Sequence, residues 1–279
     1  MLHIENLAFA YPKGKALFKD LNLTLEKGNI YGLLGRNGAG KTSLLKLACG
    51  LLYPQSGSIH MNELAVSNRE PAFLSDIYLI PEEFSLPDFK PEEYIRRYSV
   101  FYPRFDASYL EELLKEMEVD YHQALNKMSF GQRKKFMIAF ALATRVSLVV
   151  MDEPTNGLDI PSKSKFRRII ASAIDEERTF LISTHQVRDL ESLIDPLLII
   201  DDGRILVNAG LEKLSQLFSC INTAKGEHPR GEILYREKIF GGEYLLTENP
   251  DGTENPIDFE LLFNAVLHES AAIINRLNA

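Results

Sequence analysis

Gly35-Arg36-Asn37-Gly38-Ala39-Gly40-Lys41-Thr42 is the stretch that decides how the rest of the chain is read. It follows Ile30–Leu34, a short and nearly continuous apolar run of the kind that forms a buried parallel strand. It leads into Lys41–Cys49, which reads as a helix stopped at Gly50. A glycine, four residues, then Gly-Lys-Thr between a strand and a helix is the pattern of a phosphate-binding loop. Its glycines let backbone N–H groups converge on phosphate oxygens, and the helix N-terminus adds partial positive charge. Gly35, Asn37, Gly38, Ala39, Gly40, Lys41 and Thr42, with Ser43 beside them, are the expected nucleotide cradle. Lys41 is expected to reach the β- and γ-phosphates, and Thr42 to ligate Mg²⁺.

Downstream, Leu148-Val149-Val150-Met151-Asp152-Glu153 is an apolar strand that ends in two carboxylates. Asp152, at the end of a buried strand, suits a hold on Mg²⁺. Glu153, one residue on, suits positioning and polarising a water. Alone, such a pair is as often a solvated acidic turn before a helix. Beside a phosphate loop it points to nucleotide hydrolysis. A guanine-reading protein should carry Asn-Lys-x-Asp, and Asn126-Lys127-Met128-Ser129 lacks the acid.

The class is set by Met128-Ser129-Phe130-Gly131-Gln132-Arg133, at the start of an expected helix about twenty residues before the acidic strand. Here the sequence resembles the ATP-binding cassette family, whose signature in that place is Leu-Ser-Gly-Gly-Gln. The resemblance extends from about Leu2 to Leu211. It includes Tyr11 ahead of the loop, Asn156-Gly157-Leu158-Asp159 after the acidic pair, and His185 at a strand end. Taken singly, a strand tyrosine is usually core and a lone histidine is usually structural.

The resemblance implies an α/β fold: a phosphate-loop NTPase core with a mixed or parallel sheet, an antiparallel β subdomain and an α-helical insertion. It implies ATP and Mg²⁺ as ligands, with Glu153, His185 and Lys41 catalytic. Tyr11 matches the aromatic that stacks on adenine. Ser129 and Gly131, with Gln132 counted beside them, match signature positions on the ATP held by a second cassette, and Asp159 matches a residue that crosses the dimer seam. His185 matches the residue that contacts the γ-phosphate and orients Glu153 and the water. Two positions depart from the pattern. Phe130 replaces a signature glycine, and a phenyl ring cannot sit against a phosphate, so it is expected to point away from the nucleotide. Glu82 stands where the family has a glutamine; it can hydrogen-bond water or ligate Mg²⁺ and is counted with Thr42 and Asp152 as a metal candidate.

Composition sets the outer limits. Of 279 residues 45% are hydrophobic, ample for a core. Acidic residues outnumber basic ones 39 to 31, so no nucleic-acid partner is expected. Cys49 and Cys220 are too far apart in sequence for a usual metal spacing and are expected to be reduced, in a cytoplasmic setting. No apolar run approaches the ~18 residues a membrane helix needs. A transporter role would therefore run through a separate transmembrane permease subunit, with the chain peripheral on the inner face of the membrane.

Alternating strands and helices, among them Thr179–Ser183, Leu197–Asp201 and Lys163–Ile174, argue for a parallel sheet. Residues 84–145 read as a helix-rich insertion, with helices expected over Glu92–Tyr98, Ala107–Glu118 and Phe130–Thr144. The cassette is expected over 1–212, with a small accessory segment over 213–279: a hairpin around Gly241-Gly242 and one closing helix over Ile257–Leu277. Phe101-Tyr102-Pro103-Arg104-Phe105-Asp106 resembles the ATPases of bacterial drug- and peptide-exporting systems, or else is an aromatic cluster that packs the insertion. The leading reading is an ATPase subunit of an ABC transporter, expected to work as a homodimer with ATP. The alternative is a soluble cassette ATPase in cofactor assembly. DNA-repair types need a long coiled coil or zinc modules between Lys41 and Ser129, and translation types carry two cassettes; neither feature is here.

Overall fold

The computed structural model describes residues 1–12 and 14–277. Lys13 and the last two residues of the expected accessory segment ending at Ala279 lie outside the described residues. Strand β1 (Leu2–Ala10) pairs antiparallel with β2 (Ala16–Leu25). Then come β3 (Ile30–Leu34), α1 (Lys41–Ala48), β4 (Ser56–Met61), the two-residue β5 (Leu64–Ala65), the short α2 (Pro71–Leu74) and β6 (Ile77–Ile80). The helical insertion carries α3 (Pro91–Tyr98), α4 (Ala107–Glu116) and α5 (Phe130–Ala143). The chain returns through β7 (Leu148–Asp152), α6 (Ile160–Ala173), β8 (Thr179–Thr184), β9 (Leu197–Asp201) and β10 (Arg204–Ala209).

Helix starts follow local chemistry. Asp106 caps α4 by accepting from Tyr109 N at 2.9 Å, and Asp159 caps α6 by accepting from Ser162 N at 2.9 Å. With Pro161 in its first turn, α6 begins three residues before the expected Lys163. Strands β3, β7, β8 and β9 are buried along almost their whole length, which is why they read as continuous apolar runs.

The central sheet has the order β10-β9-β3-β8-β7-β6, parallel except for the edge strand β10. Strand β10 was not expected. Its signal is Asp202-Gly203, both at positive φ (43° and 71°), a two-residue turn that folds β10 back on β9. A second sheet, β2-β1-β4-β5, is wholly antiparallel. It packs with α1 over one face of the central sheet, burying Leu2, Phe9, Phe18, Leu44 and Leu198 in one core. The opposite face is covered by α5 and α6, with Phe136, Phe140, Phe166 and Ile170.

After α7 (Leu211–Leu217), strand β11 (Phe218–Asn222) occupies part of a stretch expected to be turn-rich from Cys220. It pairs with β13 (Gly242–Glu248), which also pairs with β12 (Ile233–Ile239), so the expected hairpin is the edge of a three-stranded sheet. The expected closing helix is two helices, α8 (Phe259–His268) and α9 (Ser270–Leu277), broken at Glu269, whose backbone leaves the helical region (φ −125°, ψ 40°). Phe218, Leu246, Phe259, Val266 and Ile273 lie in the same core as Ile199, Val207, Val187 and Leu190.

That shared core gives a prediction. Phe259→Ala is expected to cost about 3–5 kcal/mol and to shift the denaturant midpoint of the whole chain in one transition. A separate early transition, seen by circular dichroism in a fraction of the signal, would mean that residues 213–277 unfold by themselves.

Candidate functional site

The parallel register brings the site together. Leu34 lies opposite Thr184, and Asp152 opposite Ser183, so the segments that follow β3, β7 and β8 leave the sheet at one edge. Carboxyl ends of parallel strands are where ligands bind in open α/β sheets. A cleft of about 600 Å³ opens there, lined by Tyr11, Lys15, Arg36, Asn37, Gly38, Gly40, Lys41, Thr42, Ser43, Glu82, Asp152, Glu153 and His185.

The loop over residues 35–40 is built for close approach. Gly40 has φ +104°, and a Cβ there would press into the Phe18 ring at 2.8 Å; Gly38 has φ +83° and nothing over it within 4 Å. Ala39 is buried beneath the loop, and Gly35 lies against the Ile200 backbone. Lys41 Nζ donates to the Gly35 and Arg36 carbonyls at 2.7 and 3.3 Å. Burial lowers its pKa, while Glu153, Asp152 and Glu82 pull the other way.

Thr42 Oγ1 donates to Asp152 Oδ2 at 2.6 Å, and Ser183 Oγ donates to Asp152 Oδ1. Glu153 has φ +47°, a left-handed conformation unusual for a side-chain-bearing residue. Its peptide is held from both sides. Its N–H donates to the Ser183 backbone carbonyl and hydroxyl, each at 3.2 Å, and its carbonyl accepts from Asn156 N at 3.2 Å and Lys134 Nζ at 2.8 Å. The carboxylate is almost fully buried. Oε1 lies 2.8 Å from His185 Nδ1, and Oε2 has no partner among the described residues.

At the rim, Tyr11 is 45% exposed, with its hydroxyl 3.0 Å from Ser43 Oγ. Glu82, just after β6, accepts from Asn156 Nδ2 at 3.1 Å, and Asn156 Oδ1 accepts from Gln186 Nε2 at 3.2 Å. The expected signature residues stand apart from this cleft. Ser129 caps α5, its Oγ accepting from Gln132 N at 3.2 Å, and Gln132 Nε2 donates to the Glu118 carbonyl. Gly131 lies against the Gly157 carbonyl, and Asp159 caps α6. Phe130 turns toward its own chain, with its ring 5.8 Å from the Phe84 ring and packed on Gly157.

Ser183, Asn156 and Lys134 support the site and were not expected from sequence. Ser183 had a faint signal, a hydroxyl at the end of an apolar strand two residues before His185. Lys134 had a positional one: it falls four residues after Phe130 and four before buried Ile138, on one stripe of α5.

The ABC transporter family model matches residues 18–156. The ABC transporter ATP-binding protein NatA of Bacillus subtilis (strain 168) is 33% identical over 204 residues, 70% of this chain and 82% of NatA. The lantibiotic transport ATP-binding protein SrtF of Streptococcus pyogenes is 30% identical over 224 residues, 78% of this chain and 96% of SrtF. Among solved structures, an ATP-binding subunit of an ABC transporter superposes with TM-score 0.71 at 24% identity, over 77% of this chain and 92% of that one. A dimeric cassette in a post-hydrolysis state with ADP and Pi bound superposes with TM-score 0.65 at 21% identity, over 75% and 98%. The structures share the fold, and the sequence relatives are ATP-binding proteins of the same family. The chain belongs to the ATP-binding subunits of ABC transporters and is an ATPase of that family.

Proposed function

We propose that two copies of this chain close on two Mg-ATP molecules and hydrolyse them to drive a separate membrane-spanning subunit. The observation that carries the reading is Glu153: a buried carboxylate with one oxygen on His185 and the other, Oε2, unpartnered at the mouth of a phosphate loop. A buried acceptor without a donor is costly, and a water in line with a γ-phosphate would satisfy it.

In this reading Lys41 leaves the Gly35 and Arg36 carbonyls for the phosphates, which repays its burial with a full opposite charge. The loop amides from Asn37 to Ser43 cradle the phosphates, and Tyr11 stacks on adenine through its exposed ring face. Thr42 Oγ1 and Asp152, 2.6 Å apart, would hold Mg²⁺ with Glu82 near the rim, and the ion would offset phosphate charge. Glu153 orients the water and accepts its proton as the water oxygen bonds to the γ-phosphorus; the bond from that phosphorus to the bridging oxygen breaks, leaving ADP and phosphate. His185 holds Glu153 Oε1, so the carboxylate keeps one orientation. Ser129, Gly131, Gln132 and Asp159 face a nucleotide on the other copy, which suits their position outside this copy's own cleft.

Among the described residues no helix is long and apolar enough to cross a membrane. The docking surface we assign to the partner is the groove between β6 and the helical insertion, about 850 Å³ and lined by Leu74, Tyr98, Val100, Phe101 and Pro103. Tyr102 and Phe105 pack on Phe140, so the aromatic run does pack the insertion, while Val100 and Phe101 stay exposed. The export systems named among the relatives make export the favoured direction. Nothing in the site or the relatives favours the cofactor-assembly alternative.

Three tests follow from this arrangement. Tyr11→Ala should weaken ATP binding by calorimetry while Tyr11→Phe keeps most of it; equal affinity of both with wild type would remove the stacking role. A photocrosslinker at Phe101 should capture a multi-span protein from native membranes, and recovery of soluble partners alone would move the docking surface elsewhere. Glu153→Gln should slow hydrolysis by roughly 10²–10⁴-fold, leave ATP affinity intact, and run as a dimer with ATP and a monomer without it on a sizing column. Hydrolysis at the wild-type rate would place the base on another residue.

A further inference from the structure

Lys134 is the buried lysine of α5, fully withdrawn from solvent. Its ammonium donates to two backbone carbonyls, Glu153 O at 2.8 Å and Asn156 O at 3.2 Å, and sits 5.0 Å from the centroid of the Phe130 ring. Among the described residues no carboxylate oxygen bonds it directly. Burying an ammonium is expensive unless its donors are used, and here they are spent on the turn that follows the acidic strand. That turn carries Glu153 at φ +47°, an unfavourable conformation that persists only when its surroundings hold it.

We propose that Lys134 is a positioning residue for hydrolysis: from α5 it fixes the carbonyls of Glu153 and Asn156, and thereby the left-handed backbone that presents the Glu153 carboxylate, with Phe130 covering its ammonium. The inference rests on the assignment of Glu153 as the residue that orients the water.

Several features agree with a clamp of this kind. The Glu153 N–H is fixed on the sheet side by Ser183, so the Lys134 bond completes the hold on the opposite side of the same residue. Asn156, the second carbonyl partner, links onward to Glu82 and Gln186 at the cleft rim. Burial pulls Lys134 down to about 8, against the attraction of Glu82, Glu153 and Asp152, so the ammonium is retained near neutral pH by neighbouring carboxylates. Phe130 gains a purpose at a position that resembles a signature glycine: a ring face against a desolvated cation is favourable. The ring can lie there because its neighbour across the gap is Gly157, where a Cβ would come within 2.7 Å of it. Because Ser129 caps the same helix one turn earlier, a shift of α5 is carried by a single side chain to the backbone of Glu153.

The test is a double-mutant cycle on the full chain with Mg-ATP as substrate. Lys134→Met keeps the length and removes donors and charge; it takes the donor from the Asn156 carbonyl, so a modest loss of stability accompanies it. The expected result is a folded chain with a modestly lowered thermal midpoint and unchanged ATP affinity, and with kcat lowered on the order of 10–10²-fold, the scale of a small misplacement of a catalytic group. In the Glu153→Gln background, single-turnover hydrolysis should fall no further when Lys134→Met is added. A folded Lys134→Met with wild-type kcat, or a loss that multiplies with that of Glu153→Gln, would overturn the proposal, because a merely structural lysine acts independently of the carboxylate. Should Lys134→Met not fold, Lys134→Gln, which keeps an NH2 donor group without the charge, takes its place in the same cycle; failure of both to fold would make the residue structural and end the proposal. Glu153→Gln at the wild-type rate would instead remove the underlying assignment, an outcome distinct from a slow Glu153→Gln paired with a fast Lys134→Met.

Discussion

The parallel pairing of β3, β8 and β7 is the constraint on which the site depends. Each strand is short and buried on both faces, so its register is set by apolar packing above and below and by a full ladder of hydrogen bonds. A slip of one residue would turn every side chain to the other face. The pairing of Asp152 with Ser183 then places a hydroxyl beside a carboxylate, and the Ser183 side chain bonds both Asp152 and the Glu153 amide. One strand-end serine thus reports the sheet register directly to the two acids. The two cores on opposite faces of the sheet hold this edge rigid, and the chemistry is assembled from the loops that leave it.

Rigidity at that edge has an energetic reason. Glu153 occupies a strained backbone region and buries a carboxylate, both unfavourable in isolation. The opposing gains are local: amide and carbonyl bonds to Ser183, Asn156 and Lys134, and the contact with His185. Strain kept in place by several partners is what pre-organises a group before substrate arrives. The phosphate loop follows the same logic with glycines in place of strain, since Gly38 and Gly40 adopt positive φ without a Cβ to oppose it.

Much of this was legible in the sequence because the informative signals are local. A glycine pattern between a strand and a helix, an apolar strand ending in Asp152-Glu153, and the Met128–Arg133 run at a helix start each declare themselves within a few residues. What stayed hidden depends on partners distant in the chain. Strand β11 was missed because Cys220, Ile221 and Asn222 are only partly buried and pair with β13 more than twenty residues later. The break at Glu269 was missed because the apolar spacing runs through it, and only packing on β10 and the small sheet bends the chain there. Lys134 was hidden in a run of three cations, Arg133-Lys134-Lys135, from which burial against residues 153–156 selects one.

Charge balance in the cleft bears on the proposed pairing of two copies. Its lining holds three basic side chains, Lys15, Arg36 and Lys41, against three acidic ones, Glu82, Asp152 and Glu153. Arg36 is already engaged with Asp201 at 3.3 Å, outside the cleft. A triphosphate entering such a lining meets little net positive charge, so backbone N–H groups and a divalent cation must supply most of the compensation. Further donors have to come from elsewhere. The first turn of α5 offers them: Ser129 is exposed, Gly131 has no side chain to obstruct approach, and a helix N-terminus favours an anion. That turn lies outside its own cleft, and in the proposed dimer it serves the nucleotide carried by the other copy. The electrostatic shortfall on one face and the unused donors on the other are complementary, and the proposed head-to-tail pair of copies would satisfy both at once.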